Sequence, residues 1–394
     1  MRNSARRTAL AAATALPLAL AAPLTAHADS GSGPVSSASA SSGRPGDLVS
    51  VARSSFHPLP GQPTGTKAWK ILYRSTTATG APDTVSGTVI VPQDGRTGPR
   101  PLVTYAVGTV GLADRCAPSA GFPNGTTMEA NLIQQLTARG WAVAVTDYEG
   151  LGTPGEHTYT VGRSEGQAML DAARAAIRLP EAGLGADTPV GVMGYSQGGQ
   201  AAGWAAELHK SYAPELNLKG TAAGGVPGDL MKVAAADDGS YGSGLVLMAA
   251  IGQNAAFPEL DLDSYLNARG RDLVGRLKNS CVIDGSVLGS FTRIKDVTVK
   301  NPLAQADWQA RLNQSKVGTL APDAPVYLYH ALGDELIPYR VGRQVRADWC
   351  ARGANVEWHT VPVGEHISGV ITQSPFAAQW LADRFSGKPA HSTC

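Results

Sequence analysis

Apolar strand-like runs alternate with helix-like segments along most of the chain, and this alternation constrains the fold more than any other feature. Continuous apolar strands connected by helices are typical of a mostly parallel, doubly wound sheet, so the sequence predicts an α/β fold. A β-rich hairpin precedes the alternation at residues 69–92. The segments that follow are a strand-like run at 100–111, a helix at 129–140, a strand at 141–152, a helix at 164–180, a strand at 188–196 and a helix at 198–212. After an interruption come a strand at 324–334, a helix at 340–353, a strand at 355–364 and a last helix at 367–386.

The interruption covers residues 225–318, which contain helix-like runs and no convincing buried strand. We interpret this segment as a helical cap inserted between two parts of one core domain, residues 48–224 and 319–394. Its most apolar run, GLVLMAAIGQNAAF at 244–257, fits the lining of a pocket, a lid or an ordinary buried helix.

The N-terminus has the features of a secretory signal peptide. Arg2, Arg6 and Arg7 precede an apolar stretch that closes with Ala26-His27-Ala28, a small-x-small cleavage site. We expect residues 1–28 to be removed on export; a membrane anchor is the alternative, and the Arg6-Arg7 pair hints at twin-arginine export. Residues 29–47 are rich in Ser, Gly and Pro, which predicts a flexible leader.

Charge and cysteine content narrow the class of protein. The net charge is +1, without a run of Lys or Arg, which argues against a nucleic-acid partner. No Cys/His spacing fits zinc, and we expect neither a metal nor a cofactor. Four cysteines in an exported chain favour two disulfides over buried free thiols, and three pairings are open. The cysteines are Cys116, Cys281, Cys350 and Cys394.

Two segments match G-x-S-x-G, the pattern of a nucleophilic serine on a strand-to-helix turn. They are GRSEG at 162–166 and GYSQG at 194–198. Ser196 follows an apolar β-type run and precedes an Ala-rich helix, which is the context that the turn requires. Ser164 follows a polar, turn-rich stretch, and with Gln167 it fits the capping box of a helix. We therefore predict Ser196 as the nucleophile.

A serine nucleophile needs a base and an orienting acid, which follow it in the order acid, then histidine, in this type of sheet. Asp334 ends a strand and starts a loop; its neighbour Glu335 is the alternative acid. His366 lies just after the next strand, with room for one helix and one strand since Asp334. We predict Asp334 as the acid and His366 as the base.

An oxyanion needs two N–H donors. The backbone N–H of Gln197, directly after the nucleophile, is the first candidate. Thr109, in the loop after an early strand, is the second, with Val110 next to it. Many hydrolases have a histidine directly before the glycine of this loop, whereas this chain has Val107 before Gly108.

Asp147 also ends a strand, but we interpret it as a turn residue.

The chain resembles the secreted lipase family of the Candida antarctica lipase A type from about residue 65 to residue 390. The resemblance is carried by GYSQGGQAA, HALGDELIP, the CAPS tetrapeptide at 116–119 and the block DYEGLGTPGEHTYTVGRSEGQAMLDAAR. It implies an α/β-hydrolase fold with a helical cap between nucleophile and acid. It also implies the roles given above for Ser196, Asp334 and His366. The disulfides that it implies join Cys116 to Cys281 and Cys350 to Cys394.

We therefore expect a secreted serine carboxylic ester hydrolase, and specifically a triacylglycerol lipase, which uses the triad of Ser196, Asp334 and His366 and an acyl-enzyme intermediate. The resemblance implies hydrolysis of acylglycerols and other carboxylic esters without a cofactor. The expected protein is a monomer without a transmembrane anchor, and its substrate lies at a lipid–water interface. Alternatives are a short-chain esterase or an acyltransferase using the same site, a secreted serine peptidase, and a non-catalytic binding protein with a hydrolase fold.

Overall fold

The computed structural model describes residues 43–96 and 98–394. The predicted signal peptide and most of the predicted leader lie outside these residues. Gly46 and Asp47, at the end of that leader, are hydrogen bonded to the backbone of Arg74 at 2.7 and 2.9 Å. This end of the leader is therefore part of the folded unit. In the described part of the chain, no helix combines the length and apolar character needed to cross a membrane.

Nine strands in the described residues form one sheet in the order β1-β2-β3-β5-β4-β6-β7-β8-β9. The pairs from β5 through β4 to β9 are parallel, and β1, β2 and β3 are added in antiparallel pairs at one edge. The prediction of a mostly parallel α/β sheet is thus confirmed. The strands are β1 Leu48–Ser54, β2 Thr66–Thr76, β3 Pro82–Pro92, β4 Leu102–Ala106, β5 Ala142–Thr146, β6 Pro189–Tyr195, β7 Asn217–Gly224, β8 Val326–Ala331 and β9 Val356–Val361.

Helices flank the sheet and connect its parallel strands. The helices of the core are α1 Pro118–Gly121, α2 Ala130–Ala138, α3 Gly162–Arg178, α4 Gln197–Tyr212, α12 Tyr339–Ala351 and α13 His366–Phe385. Those between β7 and β8 are α5 Leu230–Asp237, α6 Ser243–Ala256, α7 Leu262–Tyr265, α8 Ala268–Leu277, α9 Val282–Gly289, α10 Ile294–Val297 and α11 Ala306–Gln314.

Strand β7, NLKGTAAG, is an element that the sequence analysis missed. Its Gly, Ala, Lys and Asn residues have weak β propensity, so no β-type run marks it. Its last five residues are nevertheless buried, and it pairs with both β6 and β8. The backbone N–H of Ser196 donates to the carbonyl of Gly224 at 3.0 Å, so β7 fixes the residue that follows β6.

The helices between β7 and β8 form a separate cluster of buried apolar side chains. Leu112, Tyr159 and Val161, from loops of the core, are part of this cluster. A disulfide between Cys116 and Cys281 links them to the loop after β4. Next to it, the backbone of Val282 donates to Val110 at 2.8 Å and that of Leu112 donates to Ser280 at 3.0 Å. The cap is thus fastened to the loop that contains Thr109.

The second disulfide joins Cys350, near the end of α12, to Cys394. Both pairings are those that the family resemblance implies.

Candidate active site

Ser196 lies on a sharp turn between β6 and α4. Its φ of 59° and ψ of −123° are values that residues with a side chain rarely adopt, so the backbone is strained here. A Cβ at Gly194 would lie 2.1 Å from the carbonyl oxygen of Gly198. One at Gly198 would lie 2.0 Å from the carbonyl oxygen of Ala106. The turn therefore requires glycine on both sides of the serine, which explains GYSQG physically.

Ser196, His366 and Asp334 form a hydrogen-bonded chain. Ser196 Oγ lies 2.9 Å from His366 Nε2, and His366 Nδ1 lies 2.8 Å from Asp334 Oδ2. The three residues follow β6, β8 and β9, whose carboxyl ends meet at one edge of the sheet because these strands are parallel. Asp334 and His366 are buried. The arrangement can remove the proton from a serine hydroxyl and pass it to a leaving group.

Asp334 is surrounded by hydrogen-bond donors. Its Oδ1 accepts from the backbone N–H groups of Leu336 at 3.1 Å and Ile337 at 2.7 Å. Its Oδ2 faces both His366 and His330. Burial alone would raise the pKa of Asp334, but hydrogen bonds from His330 and His366 outweigh it and hold that pKa well below its usual range. Asp334 is therefore ionised near neutral pH.

Glu335, the alternative acid, contacts the backbone of His366 where Asp334 contacts its ring. Glu335 Oε2 accepts a hydrogen bond from the backbone N–H of His366 at 3.0 Å. Its Oε1 accepts from the hydroxyl of Tyr241 at 2.5 Å. Because Tyr241 lies in the cap between α5 and α6, Glu335 connects the cap to the residue that would act as base.

Both predicted oxyanion donors lie beside the nucleophile. Gln197 is the first residue of α4, where helix N–H groups have no partner within the helix. Thr109 follows Gly108, at which a Cβ would lie 3.7 Å from the Cβ of Ser196. The hydroxyl of Thr109 is 2.7 Å from that of Tyr159. The loop after β4 thus passes directly along one side of Ser196.

Glu129 is a residue of this site that the sequence analysis missed. Its Oε1 accepts a hydrogen bond from the backbone N–H of Gly108 at 2.6 Å, and its Oε2 accepts from Tyr105 at 2.5 Å. Burial raises the pKa of this carboxyl, and its hydrogen bonds with Tyr105 and Gly108 oppose the shift. Nothing in the sequence marks Glu129, because the contact depends on how the preceding loop folds back on β4.

The second G-x-S-x-G match, GRSEG, lies within helix α3. The helix begins at Gly162 and has Val161 as its N-cap without a side-chain capping bond, so the predicted capping box at Ser164 is wrong. Ser164 instead donates to the carboxylate of Glu149. A Cβ at Gly162 or Gly166 would lie 2.0 or 2.7 Å from the side chain of Trp204 on α4. The two glycines therefore serve helix packing, which makes the match accidental.

GRSEG nevertheless contacts the nucleophile turn, through Glu165. Glu165 Oε1 accepts from the backbone of Thr160 at 3.0 Å and from the side-chain amide of Gln197 at 2.9 Å. The same amide lies 3.1 Å from His157 Nε2. Burial raises the pKa of Glu165 to about 8 and lowers that of His157 to about 4. The residue after Ser196 is thus held by two buried groups that are uncharged near pH 7.

Asp147, which the sequence analysis interpreted as a turn residue, directly follows the last residue of β5. It is buried and accepts hydrogen bonds from the hydroxyl of Ser86 at 2.6 Å and the backbone of Ser119 at 2.9 Å.

A mainly apolar cavity adjoins Ser196 and Gln197 and is otherwise lined mostly by the cap. Of the described residues around it, Asp237 is the one acid, and burial raises its pKa to about 6. The helix predicted as a pocket lining, a lid or a plain buried helix contributes a row of small and apolar side chains: Leu245, Val246, Leu247, Ala249 and Ala250.

The fold and the arrangement of the site define an α/β-hydrolase. A model of the secretory lipase family matches residues 121–393. A secreted triacylglycerol lipase of Malassezia globosa is 33% identical over 83% of this chain and 75% of its own length. A probable inactive lipase of Mycobacterium tuberculosis is 32% identical over the same shares of the two chains.

Solved structures agree on the fold. Candida antarctica lipase A in its closed state has a TM-score of 0.80 at 24% identity, covering 89% of this chain and 84% of that one. The rice cell wall degrading esterase LipA from Xanthomonas oryzae has a TM-score of 0.73 at 19% identity, covering 88% and 100%.

The chain belongs to the secretory lipase family. It is accordingly an ester hydrolase.

Proposed function

We propose that this protein is a secreted triacylglycerol lipase that works through a Ser-Asp-His triad and an acyl-enzyme intermediate. The observation that carries the proposal is the hydrogen-bonded chain of Ser196, His366 and Asp334 beside an apolar cavity. Neither feature alone is specific for a lipase. Together they combine an activated hydroxyl with space for an acyl chain.

In the first half of the reaction, Ser196 Oγ attacks the ester carbonyl while His366 Nε2 accepts its proton. Asp334 holds the ring through Nδ1 and stabilises the imidazolium that forms. The low pKa of Asp334 fits this task, because an ionised acceptor is present near neutral pH. His366 then gives the proton to the leaving alcohol, and an acyl-Ser196 ester remains. In the second half, water attacks that ester and releases the acid.

The backbone N–H groups of Gln197 and Thr109 are the donors that we assign to the oxyanion. Two observations support them: Gln197 opens helix α4, and the loop containing Thr109 passes beside Ser196. The carboxylate of Glu129 fixes that loop by accepting a hydrogen bond from the backbone N–H of Gly108.

The apolar cavity supports an ester with a long acyl chain as the preferred substrate. Its lining comes from several cap helices and includes Trp308 besides the row on α6. Apolar surface of this kind gains roughly 25 cal/mol for each Å² that an acyl chain removes from water. Short esters would leave most of it unused.

Exposed apolar side chains near the site support action at a lipid–water interface. Leu332 and Val363 are 55% and 84% exposed in the loops that precede Asp334 and His366. Ile367 and Ile371, at 49% and 59%, lie one turn apart on α13 directly after His366. Clustered exposed side chains of this type mark surfaces that contact partners or membranes.

We further propose that residues 1–28 are a signal peptide, that residues 29–47 are a leader, and that residues 48–224 and 319–394 form one core around a cap at 225–318. The two disulfides support export, because such bonds persist in oxidising compartments. Helices α5–α11, without a strand among the described residues between β7 and β8, support the cap. We propose a monomer.

A second candidate is a non-catalytic lipid-binding protein. One relative is named a probable inactive lipase, and the apolar cavity would serve binding equally well. The intact Ser196, His366 and Asp334 arrangement favours catalysis.

Hydrolysis of p-nitrophenyl esters from acetate to palmitate and of a trioleoylglycerol emulsion, together with fluorophosphonate labelling, separates these functions. The lipase proposal predicts labelling, cleavage of long chains and release of fatty acid from the emulsion. Cleavage of short esters alone would make the protein an esterase. Tight fatty-acid binding without labelling or turnover would favour the binding protein.

A further inference from the structure

His330 lies on β8, four residues before Asp334, and no step of the reaction described above is assigned to it. The side chain is completely buried. Its Nε2 lies 2.8 Å from the carbonyl oxygen of Ile337 and 3.2 Å from Asp334 Oδ2. Both neighbours are hydrogen-bond acceptors, so Nε2 must carry a proton that it donates to them.

The ring of His330 cannot turn away from these acceptors. Helix α12 packs against its other side, where a Cβ at Gly342 would lie 2.3 Å from Nδ1. Tyr339, on the same helix, packs edge-on to the ring with 6.0 Å between ring centroids. A ring fixed by packing presents its donor at one place only, which is what a positioning group requires.

His330 completes the set of donors around Asp334. Two backbone N–H groups hold Oδ1, from Leu336 and Ile337. Without His330, the ring of His366 would be the one side-chain donor to Oδ2 among the described residues, and that ring itself changes protonation during the proposed reaction. With His330, Oδ2 keeps a donor whose position does not depend on the base.

We propose that His330 is a positioning residue: its Nε2–H fixes the carboxylate of Asp334 so that Oδ2 meets Nδ1 of His366. The inference rests on the proposed function, because it takes Asp334 as the acid of the triad. His330 does not touch substrate in this account and acts only through Asp334 and through the loop that ends at Ile337.

The test compares two substitutions of His330. The side-chain amide of Gln places a donor where the imidazole Nε2 was, whereas Leu fills similar space without a donor. We expect His330→Leu to lower kcat for p-nitrophenyl esters by about tenfold to a hundredfold with KM unchanged, since hydrogen bonds to charged groups are in that range. His330→Gln should keep most of the activity. His359→Leu, on the exposed side of neighbouring β9, is the control and should match wild type.

A double-mutant comparison separates positioning from general destabilisation. In an Asp334→Asn background, adding His330→Leu should change kcat less than twofold, because the group through which His330 acts is gone. Equal losses in both backgrounds would overturn the proposal. So would a His330→Leu enzyme with wild-type kcat, or a His330→Gln enzyme that loses as much as His330→Leu at an unchanged melting temperature.

A further substitution and an NMR measurement test the proposal if His330→Leu does not fold or if the wild type cleaves no ester. If His330→Leu does not fold, His330→Asn is used in its place, because the Asn side chain is one bond shorter than Gln and its amide does not reach Asp334. His330→Asn should then lose activity that His330→Gln retains. Equal activity of His330→Asn and His330→Gln would refute the positioning role. The NMR signal of the Nδ1 proton of His366 should also shift or broaden when the donor at residue 330 is removed. That signal can be followed even if wild type cleaves no ester, which would refute the proposed function and leave the His330 contact testable.

Discussion

Glu129 and Gly108 are joined by a hydrogen bond of 2.6 Å between a carboxylate oxygen and a backbone N–H, directly beside the nucleophile. Gly108 immediately precedes Thr109, whose N–H we assign to the oxyanion. The side chain of Glu129 therefore determines where this donor lies, although it is remote from Ser196 in sequence.

Replacing Glu129 should reduce turnover more than binding. Removing one oxyanion donor costs roughly 10²–10³ in kcat in other hydrolases. Because Glu129→Ala frees the loop without deleting the donor, we expect a smaller loss of about tenfold to a hundredfold, with little change in KM. Glu129→Gln keeps an acceptor for Gly108 and should recover much of it. Equal kcat for Glu129→Ala and the exposed control Glu181→Ala would contradict this role.

A bulky side chain in the cavity should shift the chain-length preference. Ala250 on α6 lines the cavity. Ala250→Phe should lower kcat/KM for p-nitrophenyl palmitate by about tenfold or more and leave acetate nearly unchanged, since single pocket contacts discriminate by such factors. Ala255→Phe, on the same helix and outside the cavity lining, is the matched control. Parallel losses on both esters would show that the acyl chain binds elsewhere.

The raised pKa of Glu165 makes stability depend on pH. That pKa is about 8 in the folded chain and about 4.3 when unfolded, so between these values the folded chain holds a proton that the unfolded chain lacks. Stability therefore falls as pH rises through this window. Glu165→Gln still accepts from Gln197 and Thr160 but does not titrate, so its melting temperature should decline less between pH 5 and pH 8.

Even one pKa unit of this shift corresponds to about 1.4 kcal/mol, or roughly 2 °C in melting temperature for a chain of this length. Burial also raises the pKa values of Glu149 and Asp171, to about 7 and about 6. Their titration should therefore still lower the melting temperature of Glu165→Gln to some extent as the pH rises. A variant with the same pH dependence as wild type would show that the pKa of Glu165 is not raised in the folded chain.

The two disulfides should differ in their effect on activity. Serine at both Cys116 and Cys281 removes a link across 165 residues, and serine at both Cys350 and Cys394 removes one across 44. Loss of a native disulfide typically costs about 2–5 kcal/mol, and loop closure makes the longer link worth about 1 kcal/mol more. Only the first pair fastens the cap to the loop with Thr109, so only its removal should also lower kcat at a temperature where both variants remain folded. Denaturant unfolding measures the loss of stability, and ester assays measure the loss of kcat. Equal kcat values for the two double variants would contradict a role of the Cys116–Cys281 disulfide in activity.

Local patterns were sufficient to predict most elements near Ser196, because strand, turn and helix follow one another directly there. The proximity of Asp334 and His366 to Ser196 could be predicted from chain order, since the carboxyl ends of parallel strands share one edge. Strand β7 could not, because its small residues owe their strand conformation to the neighbours β6 and β8. Glu129 and Glu165 were missed because their roles depend on contacts across the fold. His330 is close in sequence to its partners Asp334 and Ile337, but no local pattern shows that the loop after β8 folds back onto its ring. The capping box at Ser164 failed because the helix starts two residues earlier and Glu149 takes its hydroxyl.

The central claim, that Ser196 is the nucleophile and GRSEG is not a second active site, is tested most directly by one comparison. Hydrolysis of p-nitrophenyl palmitate and fluorophosphonate labelling are measured for wild type, Ser196→Ala and Ser164→Ala. We predict that Ser196→Ala loses labelling and at least about 10³-fold in kcat. Ser164→Ala should keep both labelling and most activity. An active, labelled Ser196→Ala enzyme, or a Ser164→Ala enzyme that folds but no longer labels, would contradict the account.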